Sequence, residues 1–269
     1  MRQADCVIAG GRILRFVGGM AELCEITEFL DRELRLAEVP DYPGAHNGLQ
    51  LENDGRVSKV ATAVDASLAV VEKAVEAGAD LLVVHHGLFW QGVRMLTGGQ
   101  YRKFKAAFDG NLAIYSAHIP LDVHPQWGNN ALLAQALGLE VSTTFLPWKG
   151  LELGLAGEWQ GTWEDLLASI QEEVGPIISF TRSQQAVGRL GLVTGGAGSE
   201  VETVRAAGID TFLTGEGPHW SFPLADELGL NVIHAGHYAT ETSGVRKVGE
   251  LLSEKFKIEE QFLPSPTGL

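Results

Sequence analysis

Cysteine is almost absent from the chain: Cys6 and Cys24 are the only two, both near the N-terminus. They are too few for a disulfide framework and wrongly spaced for a zinc finger, so a reducing cytoplasm is the expected compartment. Positive charge is also scarce, with 20 Lys and Arg against 34 Asp and Glu and a formal net charge of -14. Such a chain repels a phosphate backbone, and with no local basic patch, broad nucleic-acid binding is not expected. A small nucleotide remains admissible, because a bound cation inverts the local field. No run approaches the roughly 18 to 20 uninterrupted apolar residues of a membrane helix, so no membrane span is expected. Residues 1–19 carry Arg2, Arg12 and Arg15 and an apolar stretch broken by Gly10, Gly11, Gly18 and Gly19. That is a poor signal peptide; it reads as an extension ahead of the fold, with Met20 a candidate start.

What is present is a globular composition: 269 residues, 45% of them hydrophobic, enough for one large domain or two smaller ones. An internal repeat selects the second option. Laid without a gap at an offset of 130, residues 60–90 match residues 190–220, with Gly78 on Gly208, Asp80 on Asp210, Gly87 on Gly217 and Trp90 on Trp220. Each segment reads as strand, amphipathic helix, then a second apolar strand, a βαβ unit with a glycine-rich helix C-cap. The fully apolar runs Leu81 to Val84 and Ile209 to Leu213 suit strands buried on both faces.

The repeat continues as a third strand in each half, one leading to His118 with Asp122 four residues on, the other to His237 with Glu241 four residues on. The expected fold class is therefore α/β: two pseudo-symmetric lobes with mixed sheets, residues 20–147 and 148–269, packed together. Leu23 to Leu34 has helical period, as do Ala131 to Leu137 and Val245 to Phe256. Thr162 to Val174 reads as a helix capped by Thr162 with Asp165 three residues later.

Seven of the eight histidines lie at or just beyond expected strand ends, where ligands of open α/β sheets gather. The equivalent places in the two halves pool six candidate metal ligands: His85, His86, His118, Asp122, His237 and Glu241. Imidazole with carboxylate and no thiolate suits Zn, Mn, Fe or Co, and more than four ligands suggests two divalent ions. Two adjacent ligands such as His85 and His86 require the strand to end or bend there, as Gly87 permits. His124 and Glu216 are the candidate proton shuttles, while His219 and His234 read as structural. The run Thr194-Gly195-Gly196-Ala197-Gly198 could cradle a phosphate, but it lacks the P-loop lysine and the full dinucleotide spacing, so a tight turn is expected. No serine or cysteine sits in a nucleophile setting.

Asn47-Gly48-Leu49-Gln50, Val83-Val84-His85-His86-Gly87, His118-Ile119-Pro120-Leu121-Asp122-Val123-His124-Pro125 with Gly128-Asn129-Asn130, Thr214-Gly215-Glu216 and Ala235-Gly236-His237-Tyr238-Ala239-Thr240-Glu241 stand in this order along the chain. Together they resemble the NIF3-like family, also called the type 2 GTP cyclohydrolase I family, in its short bacterial form. The resemblance covers Met20 to about Phe256. It implies a dinuclear centre on His85, His86, Asp122, His237 and Glu241, with His118 matching an additional ligand. It also implies a hexameric toroid of identical chains with the metals facing an inner cavity. Family members often carry two histidines where this chain has His237-Tyr238; the retained spacing to Glu241 marks His237 as the ligand. The implied activity is metal-assisted hydrolytic opening of the guanine imidazole ring of GTP. A non-catalytic metal-binding, metal-delivery or scaffold protein and a di-metal phosphoesterase share the same ligands.

Overall fold

The structure is a computed structural model that describes residues 19–90, 92–180 and 186–268. The N-terminal extension, Gly19 apart, and Cys6 lie outside the described residues. The first half runs β1 (Ala21–Glu22), α1 (Leu23–Glu33), β2 (Gly48–Leu51), β3 (Arg56–Val57), β4 (Lys59–Asp65), α2 (Leu68–Glu76), β5 (Leu81–His86), α3 (Gly98–Asp109), β6 (Ala113–Ser116), α4 (Ile119–Asp122) and α5 (Asn129–Ala136). The second runs β7 (Thr143–Trp148), β8 (Leu151–Glu158), α6 (Trp163–Val174), β9 (Ile178–Phe180), β10 (Arg189–Val193), α7 (Val201–Ala206), β11 (Thr211–Thr214), α8 (Ser221–Leu228), β12 (Asn231–His234), α9 (His237–Thr240), α10 (Thr242–Phe256) and β13 (Glu259–Phe262).

Two mixed sheets carry the fold, ordered β13-β4-β5-β6-β2 and β7-β8-β10-β11-β12-β9, beside the small pair β1-β3. In each, three consecutive parallel strands, β4-β5-β6 and β10-β11-β12, form the shared kernel, and an antiparallel edge strand, β2 or β9, closes the side next to the third. The offset of 130 seen in the sequence maps β4 onto β10 and β5 onto β11, so the repeat is a structural one. Gly78 and Gly208 take positive φ, +69° and +77°, after the equivalent helices, the left-handed position that lets the chain turn into the next strand. Thr162 forms the full capping box with Asp165 at the start of α6.

Strand periodicity explains why both faces of each sheet are apolar. In β4 and β5, Val60, Val64, Leu81 and Val83 meet α1 and α10, while Ala61, Ala63, Leu82 and Val84 meet α2 and α3. In the second sheet, Leu190, Leu192, Leu213 and Ile233 meet α5 and α6, and Phe212 and Val232 face α7 and α8. Each fully buried Leu or Val in these layers stabilises the fold by roughly 1.5–3 kcal/mol relative to exposure.

The partition at residues 147 and 148 is corrected at both ends. The second sheet begins at Thr143, in β7. The chain also returns to the first lobe, where β13 pairs in parallel with β4 and Val245, Val248 and Leu252 of α10 fill the first core. The reason is that β4 would otherwise be an edge strand, with a row of unpaired backbone groups and an uncovered apolar face. The lobes thus exchange chain and act as one packed unit. Among the described residues, no helix is long and apolar enough to cross a membrane.

Candidate metal centre

The parallel strands of both sheets deliver their C-terminal ends to a common point. β5 runs through His85 and His86 and stops, and the chain turns at Gly87, where a Cβ would come within 2.6 Å of the Ser116 Cβ. The two rings flank the strand end with centroids 4.8 Å apart. His118 follows β6, Asp122 ends the single turn of α4, and His237 and Glu241 bracket the turn of α9 after β12.

Three sets of donor atoms converge: His85, His86 and His118; His85, Asp122 and Glu241; and His86, His237 and Glu241, each within 4.8 Å. Glu241 stands at the centre. Its Oε1 lies 3.4 Å from His85 Nε2, and its Oε2 lies 3.5 Å from His86 Nε2 and 3.2 Å from His237 Nε2. Asp122 Oδ2 is 3.5 Å from His85 Nε2. Two donors bound tetrahedrally to one zinc-sized ion at 2.0–2.2 Å are themselves about 3.4 Å apart, so the spacing fits shared cations. The Nε2 atoms of His85 and His86 and Oε2 of Glu241 are buried without a hydrogen-bond partner, a costly arrangement in any apolar interior that a cation would relieve. All six candidate ligands are therefore brought together, and the donor set fits divalent metal.

The opposite ring nitrogens are all engaged. His85 Nδ1 donates to the Ala117 carbonyl at 2.9 Å, His86 Nδ1 to Asp65 at 2.9 Å, His118 Nδ1 to Asp41 at 2.9 Å and His237 Nδ1 to Glu216 at 2.8 Å. Holding the proton on Nδ1 leaves the Nε2 lone pair aimed inward and fixes the ring plane, the usual support of a metal-binding histidine. Asn129 donates to Asp122 at 2.8 Å and accepts from the Gly244 N–H. Asn130 links Leu153 O to the Thr194 N–H, stitching α5 to the second sheet. Asn47 accepts from the His118 N–H and donates to Asp41. The carboxylates Asp41 and Asp65 were missed in the sequence. Asp65 carried a usable signal, since it ends β4 in register with His86 on β5.

Charge balance follows from this packing. Burial pulls His85 down, but Asp122 and Glu241 outweigh it and raise its pKa well above the usual imidazole value. Burial likewise opposes His237, whose pKa Glu241 and Glu216 hold at about 9. Burial dominates at His86 and lowers it, with only partial opposition from Asp65. Glu241 is held well below the carboxylate range by His85 and His237 in spite of burial that favours its neutral form. The raised pKa values of His85 and His237 favour their protonated forms, so metal uptake at these two rings must release protons.

The two expected shuttles part company. Glu216 touches the cluster through His237. His124 instead stacks on Trp127 at 4.4 Å, and its Nδ1 accepts the backbone N–H groups of Gln126 and Trp127. Neither Glu216 nor His124 is among the described residues lining the cavity over the cluster. The glycine run at 194–198 is a turn, as expected. Its N–H groups at Thr194, Gly195, Ala197 and Gly198 bond Asn130, Thr240, Thr214 and Glu216 within the protein. Gly195, at φ +71°, is required because a Cβ there would collide with Glu241 Oε1.

Above the cluster opens a cavity of about 720 Å³. Its lining includes His118, Asp122, His237 and Glu241 of the donor set, the neighbouring rings of Tyr42, Trp90 and Trp148, and Ala197, Ser199 and Glu200.

Comparison with known proteins bears on the family and the fold. The sequence matches the Duf34/NIF3 (NGG1p interacting factor 3) family over residues 21–266. A protein of Deinococcus radiodurans named GTP cyclohydrolase 1 type 2 homolog is 40% identical over 248 residues, 91% of this chain and 94% of its own length. A protein of the same name from Pyrococcus abyssi is 40% identical over 250 residues, 91% of this chain and 98% of its own. Among solved structures, protein ybgI, described as of unknown function, superposes with a TM-score of 0.84 at 33% identity, covering 92% of this chain and 100% of that one. Reduced HcgD from Methanocaldococcus jannaschii gives 0.82 at 30%, covering 93% and 100%.

Proposed function

The chain belongs to the Duf34/NIF3 family, and from that premise we propose that it is a dinuclear metal-dependent hydrolase acting on a purine nucleotide, with the ring opening of GTP as its leading activity. The observation that carries this reading is Glu241: one buried carboxylate with one oxygen facing His85 and the other facing His86 and His237, in the lining of a cavity of ligand size. A carboxylate so placed is suited to bridge two cations. His85 and Asp122 would complete one side, His86 and His237 the other, with His118 beside the first two histidines.

When bound, such cations would supply an acidified water nucleophile and neutralise developing negative charge. The protein's own residues do the remainder. Asp41, Asp65, Glu216 and the Ala117 carbonyl keep the Nδ1 protons in place, so that each Nε2 offers its lone pair inward. Asn129 and Thr194 orient Asp122. Glu216, with 43% of its side chain open to solvent, holds the His237 Nδ1 proton and is the group we assign to proton traffic.

We extend the proposal to a homohexameric ring. Val93, Met95, Leu96, Tyr101 and Phe108, in and before α3, expose apolar surface of the kind a subunit contact buries. Native mass spectrometry checks this point, and a monomer at micromolar concentration would refute it.

The activity is tested by incubating metal-reconstituted protein with a nucleotide panel and scoring formate, ring-opened product and phosphate. Formate above the level of His86→Ala and Glu241→Ala protein supports ring opening; phosphate alone converts the reading to a phosphoesterase. No product, together with substoichiometric and easily lost metal, would leave a metal carrier or scaffold.

A further inference from the structure

Part of the cavity wall is aromatic, and it is assembled from three separate chain segments. Tyr42 precedes β2, Trp90 follows β5 and Trp148 ends β7. The Tyr42 ring centroid lies 5.2 Å from that of Trp148 and 6.0 Å from that of Trp90, and Trp90 in turn lies 4.2 Å from His118. Lys149 braces this wall: its Nζ donates to the Asp41 carbonyl at 2.7 Å and sits 4.7 Å over the Trp148 ring. Tyr42 is 47% exposed, so a broad π-surface faces open space.

The chemistry of the remaining lining is equally defined. Asp122 and Glu241 belong to the metal-donor set, which leaves Glu200 as the unassigned carboxylate among the described residues lining the cavity, and these include no Lys or Arg. Glu200 lines the same cavity as Tyr42, whose hydroxyl pKa is raised by burial first, then by Asp41 and Glu200. The nearby glycine turn, the place where an anion would be cradled, has four of its backbone N–H groups committed to internal acceptors. Aromatic faces bind planar rings with little dependence on charge, whereas a carboxylate accepts from ring N–H groups and repels phosphate.

We propose that this cavity recognises its ligand by a planar nitrogen heterocycle, packed against the wall that Tyr42 and Trp148 form with rings inclined at 51°, with an N–H donor edge turned to Glu200, and not by phosphate. Tyr42, Trp148 and Glu200 are then specificity-determining residues, and a base or nucleoside is bound as well as its triphosphate. The inference rests on the proposed function for the identity of the cavity as a substrate site. Its test is of binding and requires no turnover, so the two can fail separately: product formation with the opposite binding pattern sinks this inference alone, and heterocycle binding without product sinks the hydrolase alone.

The test uses the full-length, metal-loaded protein, titrated by calorimetry and tryptophan quenching with guanosine, adenosine, GTP and tripolyphosphate. Guanosine and GTP should bind within about threefold of each other, and tripolyphosphate should fail to compete. Loss of one stacking partner in Trp148→Ala should weaken guanosine about tenfold or more, while Trp148→Phe retains most of the affinity. Glu200→Gln should erase the preference of guanosine, which offers adjacent N–H donors, over adenosine. The proposal is overturned if GTP binds more than about tenfold tighter than guanosine with tripolyphosphate competing. It is equally overturned if guanosine does not bind, if Trp148→Ala binds it as wild type does while remaining folded by circular dichroism, or if Glu200→Gln keeps the base preference.

Discussion

The two repeats end their second strands in different chemistry. β5 finishes in His85 and His86, whose Nε2 atoms point into the cluster; at the same places in the second repeat stand Gly215 and Glu216, and Glu216 instead holds His237 by its Nδ1. One step earlier in each unit the strand ends differ again. Asp65 ends β4 and holds His86, while its counterpart, Gly195, is bare so that Glu241 can enter. A duplicated scaffold therefore brings strand ends to the same point twice, keeps candidate ligands after the third strand of both units, and fills the ends of the first two strands differently. The difference teaches that repeat equivalence identifies the location of a site without identifying which residue of a pair does the binding.

The largest effect tests the centre of that arrangement. Glu241→Ala removes the one carboxylate among the described residues that faces three imidazoles, and bound metal per chain, read by elemental analysis, should fall by half or more with activity lost. Next, Asp65→Ala and Glu216→Ala remove supports from opposite repeats and should each weaken metal binding about 10- to 100-fold in a competitive chelator titration. If Glu216→Ala is as severe as Glu241→Ala, Glu216 is a ligand and the contrast between the repeats collapses.

The pH dependence sharpens the same contrast. His237 has its folded pKa raised from about 6.5 to about 9. In the metal-free protein the stability this supplies is fully present below pH 6.5 and disappears as pH rises through 9. Metal needs the neutral ring, so the gain in melting temperature on adding metal should grow across that same interval. Glu216→Gln should move this growth to lower pH; an unchanged profile would show that Glu216 does not control His237.

Gly195→Ala is expected to be milder in stability, about 1–3 kcal/mol by thermal or denaturant unfolding, from positive φ and the clash with Glu241, with weakened metal binding as well. The smallest effect belongs to Thr162→Ala at the capped start of α6, which has no partner in the first repeat. It should lower stability by about 1 kcal/mol and leave metal content unchanged. A loss of metal there would mean that the second lobe transmits stability to the cluster.

Much of this was legible in the sequence because it depends on local pattern. Period-two apolar strands, helical period in α1 and α10 and the Thr162 cap are consequences of neighbours a few residues apart. The six candidate ligands were legible because parallel strands must end on one edge, and histidines recurred at those ends. The supports were harder to see: Asp41 lies 77 residues from His118 and meets it only when the loop before β2 folds over β6. His124 shows the converse, since its spacing near Asp122 suggested a role while its ring is turned to Trp127 by the backbone N–H groups it accepts.

Composition and spacing by themselves determined an acidic, α/β, twice-repeated chain with its imidazoles and carboxylates at strand ends. Tertiary structure decided the rest. It drew α10 and β13 back onto the first sheet, because an uncovered strand and apolar face had to be satisfied. It gave Asp65 and Glu216 supporting roles, and it built an aromatic wall from Tyr42, Trp90 and Trp148. Each of these depends on which distant segments are brought within a few ångströms, and long-range packing sets that where no local periodicity can.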